Sequence, residues 1–310
     1  MPSSSCRDFL VRPLGRIGSD CTRLASDIRR IPSAPRNADY YRPSFGSGQA
    51  RAGPEFRHSR LPETSLPLVE AAVDTLESAL SAERAGAGRI ELCASLSDGG
   101  ITPSAGLMAA VVERCRIPVF VMIRPRGGSF VYVDAEIDVM VRDMEVAKAM
   151  GAGGIVTGAI TSTGTIDMDR TRELVRGAGG LPVTFHRAFD FATRSADSLE
   201  QLIEAREARV LTSGGASTAL EGAPRISALV NQARGRIGII AGGGVRENNV
   251  REVITLTGVK EVHARISAIV GGGGRSRSAK IKLRKKLPDN ESAWEELDEG
   301  RMRDLVQQAG

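Results

Sequence analysis

Between about Leu66 and Ile269 the chain alternates eight short apolar runs with segments of helical periodicity, at a spacing near 25 residues. The runs are LPLVEAAV, RIELCA, PVFVMI, GGIVTGA, LPVTF, ARVLTSGG, RIGIIAGGG and KEVHARI. Between them lie TLESALSAERAGA, a helix around Ala105–Arg114, AEIDVMVRDMEVAKAM, DRTRELVRGA, SLEQLIEAREA, a helix ending near Ala233, and ENNVREVITLTG. Strands that are apolar throughout, rather than alternating, are buried on both faces, which requires a parallel sheet covered by helices. Eight such units predict an α/β fold, a closed (β/α)8 TIM barrel at the short end of its length range. The competing arrangement is an open doubly wound sheet. That sheet would carry a Gly-rich fingerprint after its first strand, and VEAAVDTL has none.

Barrel active sites are built from the C-terminal ends of several strands. The run Leu181–Asp190 (LPVTFHRAFD) ends in His186, Arg187 and Asp190, so it delivers polar chemistry where such a site would lie. A strand edge whose charges face water is the plainer reading. Residues two apart share a face of a strand. With Ile90, Leu92, Val121, Ile123, Val183, Phe185, Val262 and Ala264 facing the helices, Glu91, Cys93, Met122, Arg124, Thr184, His186, Glu261, His263 and Arg265 face the barrel axis. Glu70 joins them from the first strand. Burying so many ionisable groups is costly unless they pair or do chemistry, so the layer is either a functional pocket or an interior ion-pair network. Gly242, Gly243 and Gly244 close the seventh strand, where barrels often bind phosphate through unobstructed backbone N–H groups. Alternatively they only permit a tight turn. Asp167 and Asp169 read as helix caps, and Cys115 as structural.

The remaining sequence reads as flanks. Residues 1–65 form an irregular extension of Pro, Ser, Gly and Arg, and the first sixty residues hold eleven Arg, no Lys and five acidic groups. Such a composition suits disorder or an organellar transit segment, although Asp8, Asp20 and Asp27 interrupt a cationic face. The barrel is expected over 66–270. Residues 271–310 are a tail of basic linker, acidic stretch and short helix, with KIKLRKK open to a nuclear-localisation reading. The net charge of +5 sits mostly in these flanks, and aromatics (4%) do not interleave with basic residues, which argues against a nucleic-acid partner. No apolar run approaches the ~18 residues a membrane span needs. The four cysteines, Cys6, Cys21, Cys93 and Cys115, show no zinc-type spacing and are expected as free thiols in a reducing compartment. His58 lies in the extension and is not a site candidate.

RIELCASLSDGGITPS, PVFVMIRPRGGSFVY, LPVTFHRAFD, RVLTSGG, ALEG and IIAGGG, in this order, closely resemble the CutC family, associated by name with copper homeostasis. The resemblance covers roughly Leu66–Ile266. It implies a TIM barrel, an oligomer (dimer or tetramer), and a cytoplasmic location that extends to the nucleus in animals; a transit role for residues 1–65 would instead imply mitochondria. It also implies a Cu(I) site made of cysteine side chains, here Cys93 with help from the Met122 thioether or His186. The chain departs from the family pattern at Ala72, where animal members carry a first-strand cysteine, at Gly215 in TSGG, and in a shortened last strand, VHARIS. Two functions follow. One is copper binding without turnover, weakened by the missing thiol. The other is a barrel enzyme acting on a small anionic or phosphorylated substrate. In that enzyme His186 would move protons with Glu91 and Asp190 in support, Arg124, Arg187 and His263 would hold anions, and Gly242–Gly244 would cradle phosphate.

Overall fold

A computed structural model describes residues 66–271 and 293–310. The expected extension over 1–65, with Cys6, Cys21 and His58, and the basic run KIKLRKK lie outside the described residues. Eight strands close into a barrel in sequence order: β1 (Leu68–Val73), β2 (Arg89–Leu92), β3 (Val119–Met122), β4 (Gly154–Thr157), β5 (Val183–Phe185), β6 (Arg209–Thr212), β7 (Gly238–Gly242) and β8 (Glu261–Ala264). Every neighbouring pair is parallel, and β8 closes on β1 with Glu70 opposite His263. The helices between them are α1 (Leu76–Arg84), α2 (Ala105–Arg114), α3 (Asp134–Ala149), α4 (Met168–Gly177), α5 (Ser195–Glu204), α6 (Ala223–Ala233) and α7 (Val250–Thr257). The (β/α)8 barrel read from the sequence is the fold. No described helix is long and apolar enough to cross a membrane.

The chain starts its helices where a side chain can accept an otherwise unpaired N–H. Thr75, Ser104 and Asp167 accept from the amides of Ser78, Leu107 and Arg170, opening α1, α2 and α4. Strand alternation then sorts the core. Ile90, Leu92, Val121, Ile123, Val183, Phe185, Val262 and Ala264 join the large apolar layer shared with the helices. Cys93, Phe120, Met122 and Val156 make a separate small cluster within the barrel. Gly154 makes room for Phe120: a Cβ at that position would lie 2.5 Å from the ring.

The lower interior is ionic. Arg89 donates to Glu70 at 2.5 Å through Nε and to Glu261 at 2.5 Å through Nη2, and Arg209 Nε reaches Glu261 at 3.1 Å. The guanidinium centres of Arg89 and Arg209 lie 4.9 and 5.2 Å from the Phe120 ring centroid. These cations therefore hold both carboxylates and the aromatic plug at once.

After β8 the chain leaves the barrel. Strand alternation puts Arg265 on the axis face of the last strand, but β8 stops at Ala264. Its guanidinium instead meets the Leu96 carbonyl (3.1 Å) and Glu295. Glu295 belongs to β10 (Ala293–Leu297), antiparallel to β9 (Ser267–Gly271). The adjacent Glu296 accepts from the Thr75 and Ser78 hydroxyls at the start of α1, each at 2.5 Å. The tail ends in α8 (Glu299–Ala309), which buries Met302 and Leu305 against the barrel core.

Two stability outcomes are expected. Arg89→Met strips a shared cation from buried Glu70 and Glu261 and should cost about 3–5 kcal/mol in urea denaturation, part of which the additional Glu70→Gln change restores. Glu207, between α5 and β6, is 4% exposed, and burial pushes its carboxyl up to about 8. Its folded pKa exceeds the unfolded value, so it favours the native state below pH 4.5 and progressively less as pH rises toward 8. Glu207→Gln should therefore stabilise by about 2–4 kcal/mol at pH 8 and little at pH 4, read from paired melting curves.

Candidate functional site

Above the ionic floor, β1, β2 and β8 bring three donor-bearing side chains together. His263 Nδ1 lies 2.8 Å from Glu70 Oε1, and its Nε2 faces Glu91 Oε2 at 3.8 Å. The Cys93 thiol donates to that same Glu91 oxygen at 3.5 Å. Ligand atoms of Glu70, Glu91 and His263 all fall within 4.8 Å of one another. Gly242 makes the space on the β7 side: a Cβ there would sit 3.2 Å from the His263 Cβ.

Burial and charge compete at each group. Burial pushes the Glu70 carboxyl up, but Arg89 and His263 outweigh it and hold it at about 2. At Glu91 burial wins, aided by Glu70, and its pKa is raised despite His263. Burial opposes the charged form of His263, yet Glu91 and Glu70 overcome it and raise its pKa. Cys93 is pushed well up by burial and then by Glu91, so at neutral pH it is a thiol. The second Glu91 oxygen, Oε1, is buried without a hydrogen-bond partner.

The other residues singled out in the sequence fall in two places. Arg187 donates to Asp190 (2.8 Å) and Ser213 Oγ (2.8 Å). Asp190 also accepts from the Thr212 hydroxyl (2.5 Å) and from the amides of Ser213 (3.0 Å) and Gly215 (3.1 Å), tying the ends of β5 and β6 together. Gly243 and Gly244 have φ of +98° and +70°, and a Cβ on Gly243 would lie 3.3 Å from the Arg187 guanidinium. Arg187 thus stands against this glycine turn at the rim.

Arg124 and His186 flank Phe130. The Arg124 guanidinium lies 4.6 Å from the Phe130 centroid and the imidazole 4.8 Å from it. Arg124 donates to the carbonyls of Asp98 (3.1 Å), Gly100 (3.1 Å) and Gly128 (2.8 Å), so both its Nη atoms organise the loops after β2 and β3. His186 is N-cap of the turn Arg187–Phe191, and its Nδ1 accepts the Ala188 N–H. Its proton therefore sits on Nε2. Burial, then the Arg124 charge, lowers its pKa to about 3, which keeps the ring neutral. Met122 lines the small apolar cluster with Cys93.

Arg89 and Arg209, which fix the floor, were not singled out from the sequence. A signal existed: Arg89 lies two residues before Glu91 and Arg209 two before Leu211, on the same strand faces. The role of Glu70 as the carboxylate behind His263 was not readable either, since closure makes β1 and β8 neighbours but neither strand's pattern sets the register that puts Glu70 opposite His263.

Residues 67–268 match the model of the CutC family. A copper homeostasis protein CutC homolog of Mus musculus is 43% identical over 84% of this chain and 92% of its own length. The one from Homo sapiens is 44% identical over 77% and 87%. Among solved structures, a putative copper homeostasis protein CutC from Streptococcus agalactiae matches with a TM-score of 0.62 and 36% identity, over 64% of this chain and 98% of that one. A barrel of the same architecture, a family match across most of its length and relatives above 40% identity agree: this chain belongs to the CutC family of copper homeostasis proteins.

Proposed function

We propose that the chain takes part in copper homeostasis by holding one Cu(I) ion inside the barrel, with Cys93, His263 and Glu91 as the donor group. A thiol sulfur and an imidazole nitrogen lying 3.5 and 3.8 Å from one shared carboxylate oxygen carry this reading. Cu(I) favours sulfur and accepts imidazole, so the donors suit it in kind. Ala72, buried on β1 and opposite Glu91 in register, supplies no second thiol. The set therefore fits a weaker ion site than two thiolates would make. Glu70, fixed by Arg89, orients the His263 ring through Nδ1, the arrangement that outer carboxylates give to metal-binding histidines. Glu91 is placed to accept the Cys93 proton when sulfur is needed as thiolate. Met122 adds only an apolar wall and a thioether beside it.

A second reading, a barrel enzyme for a small anionic or phosphorylated substrate, draws support from Arg187 lying against the Gly243–Gly244 turn. There the backbone can approach an anion without side chains in the way.

An anaerobic titration against a chromogenic Cu(I) chelator tests the copper site. One ion per chain is expected, with at least about tenfold weaker retention in Cys93→Ser and in His263→Gln, and little change in Met122→Leu. Absence of copper binding, or binding indifferent to both of the first two changes, would overturn it.

A further inference from the structure

Along the inner face of β5 the protein leaves hydrogen-bond donors with nothing to bond. Thr184 Oγ1 and His186 Nε2 are both buried and without a partner, in residues 0% and 3% exposed. Buried polar atoms are nearly always matched, and an orphaned pair on one strand is unusual. The two residues are separated by one position, so they share a face, with Val183 and Phe185 pointing to the helices. His186 cannot relieve its own deficit. Its Nδ1 is already an acceptor for Ala188, which leaves Nε2 as a donor. The Arg124 guanidinium packs on the same Phe130 ring as the imidazole, beside the buried Tyr132 hydroxyl. This wall therefore offers two unpaired polar groups, Thr184 Oγ1 and His186 Nε2, in the positive field of Arg124.

We propose that the β5 wall binds a short-chain carboxylic acid, whose oxygens accept from Thr184 Oγ1 and His186 Nε2 while Arg124 supplies the positive field. Residues two apart on a strand lie about 6.6 Å from each other, a gap that a small acid bridges with a hydrogen bond at each end. Burial keeps the imidazole neutral, so its N–H remains a fixed donor rather than a titrating cation. Thr184 and His186 are not among the Cys93, Glu91 and His263 donors, so the proposal stands whether or not copper binds.

Oxalate is the probe, added to the full chain freed of metal, with inorganic phosphate run in parallel. Binding is read by calorimetry and by the 15N signal of His186 Nε2. Saturable one-to-one oxalate binding is expected, together with a shifted Nε2–H signal and at least a tenfold loss of affinity in Thr184→Val, a change that keeps the side-chain shape. His186→Gln, which retains a donor, should bind better than His186→Phe. The proposal is overturned by three results: no saturable oxalate binding, oxalate binding that Thr184→Val leaves unchanged, or an Nε2–H signal indifferent to oxalate because ordered water satisfies it. Phosphate binding at oxalate's affinity and insensitive to Thr184→Val would also overturn it, placing the anion elsewhere.

Discussion

Arg89 reaches two carboxylates from the floor of the barrel, Glu70 on β1 and Glu261 on β8, and the polar interior depends on that bridge. Without it, buried negative charges would face one another across the β8–β1 seam, where the barrel closes. Arg209 supports Glu261 from the other side, and both guanidinium groups cover Phe120. Breaking such a set is costly because the partner left behind is an uncompensated buried charge. The same ions that close the cylinder therefore fix the orientation of Glu70.

From Glu70 the order passes upward by hydrogen bonds. Its remaining oxygen holds His263 Nδ1, which turns Nε2 toward Glu91 and brings that nitrogen and the Cys93 sulfur to one carboxylate. Arg124 Nε, Thr184 Oγ1 and His186 Nε2, on β5 and just beyond the ends of β3 and β5, are buried without partners. The acids, the thiol and the His263 ring thus come from β1, β2 and β8, while Arg124 and His186 follow the ends of β3 and β5. Arg124 and His186 both pack on Phe130, and the cation acts on the imidazole through its charge.

Local periodicity made much of this legible. Alternation in RIELC and LPVTFH was enough to place Glu91, Cys93, Thr184 and His186 inside, because a buried parallel strand leaves no other face for Ile90, Leu92, Val183 and Phe185. Contacts set by distant chain segments were not legible. Arg265 leaves the axis because β9 pairs with β10, more than twenty residues further on, and Glu295 then meets its guanidinium. The stretch AWEEL reads as an acidic run; it becomes a strand through that pairing and through the Thr75 and Ser78 hydroxyls that receive Glu296. Arg124 lay on the expected face, but the carbonyls that occupy its Nη atoms come from loops whose paths no strand pattern specifies.

The central claim is that charge pairing in the barrel floor sets one sulfur, one ring nitrogen and one carboxylate around a common point. X-ray absorption spectroscopy at the copper edge, on protein loaded with one Cu(I) ion per chain, reads those neighbours directly. The account predicts a single sulfur with nitrogen and oxygen neighbours, the sulfur contribution vanishing in Cys93→Ser. A shell of two sulfurs, or of oxygen and nitrogen alone in the unaltered protein, would contradict it.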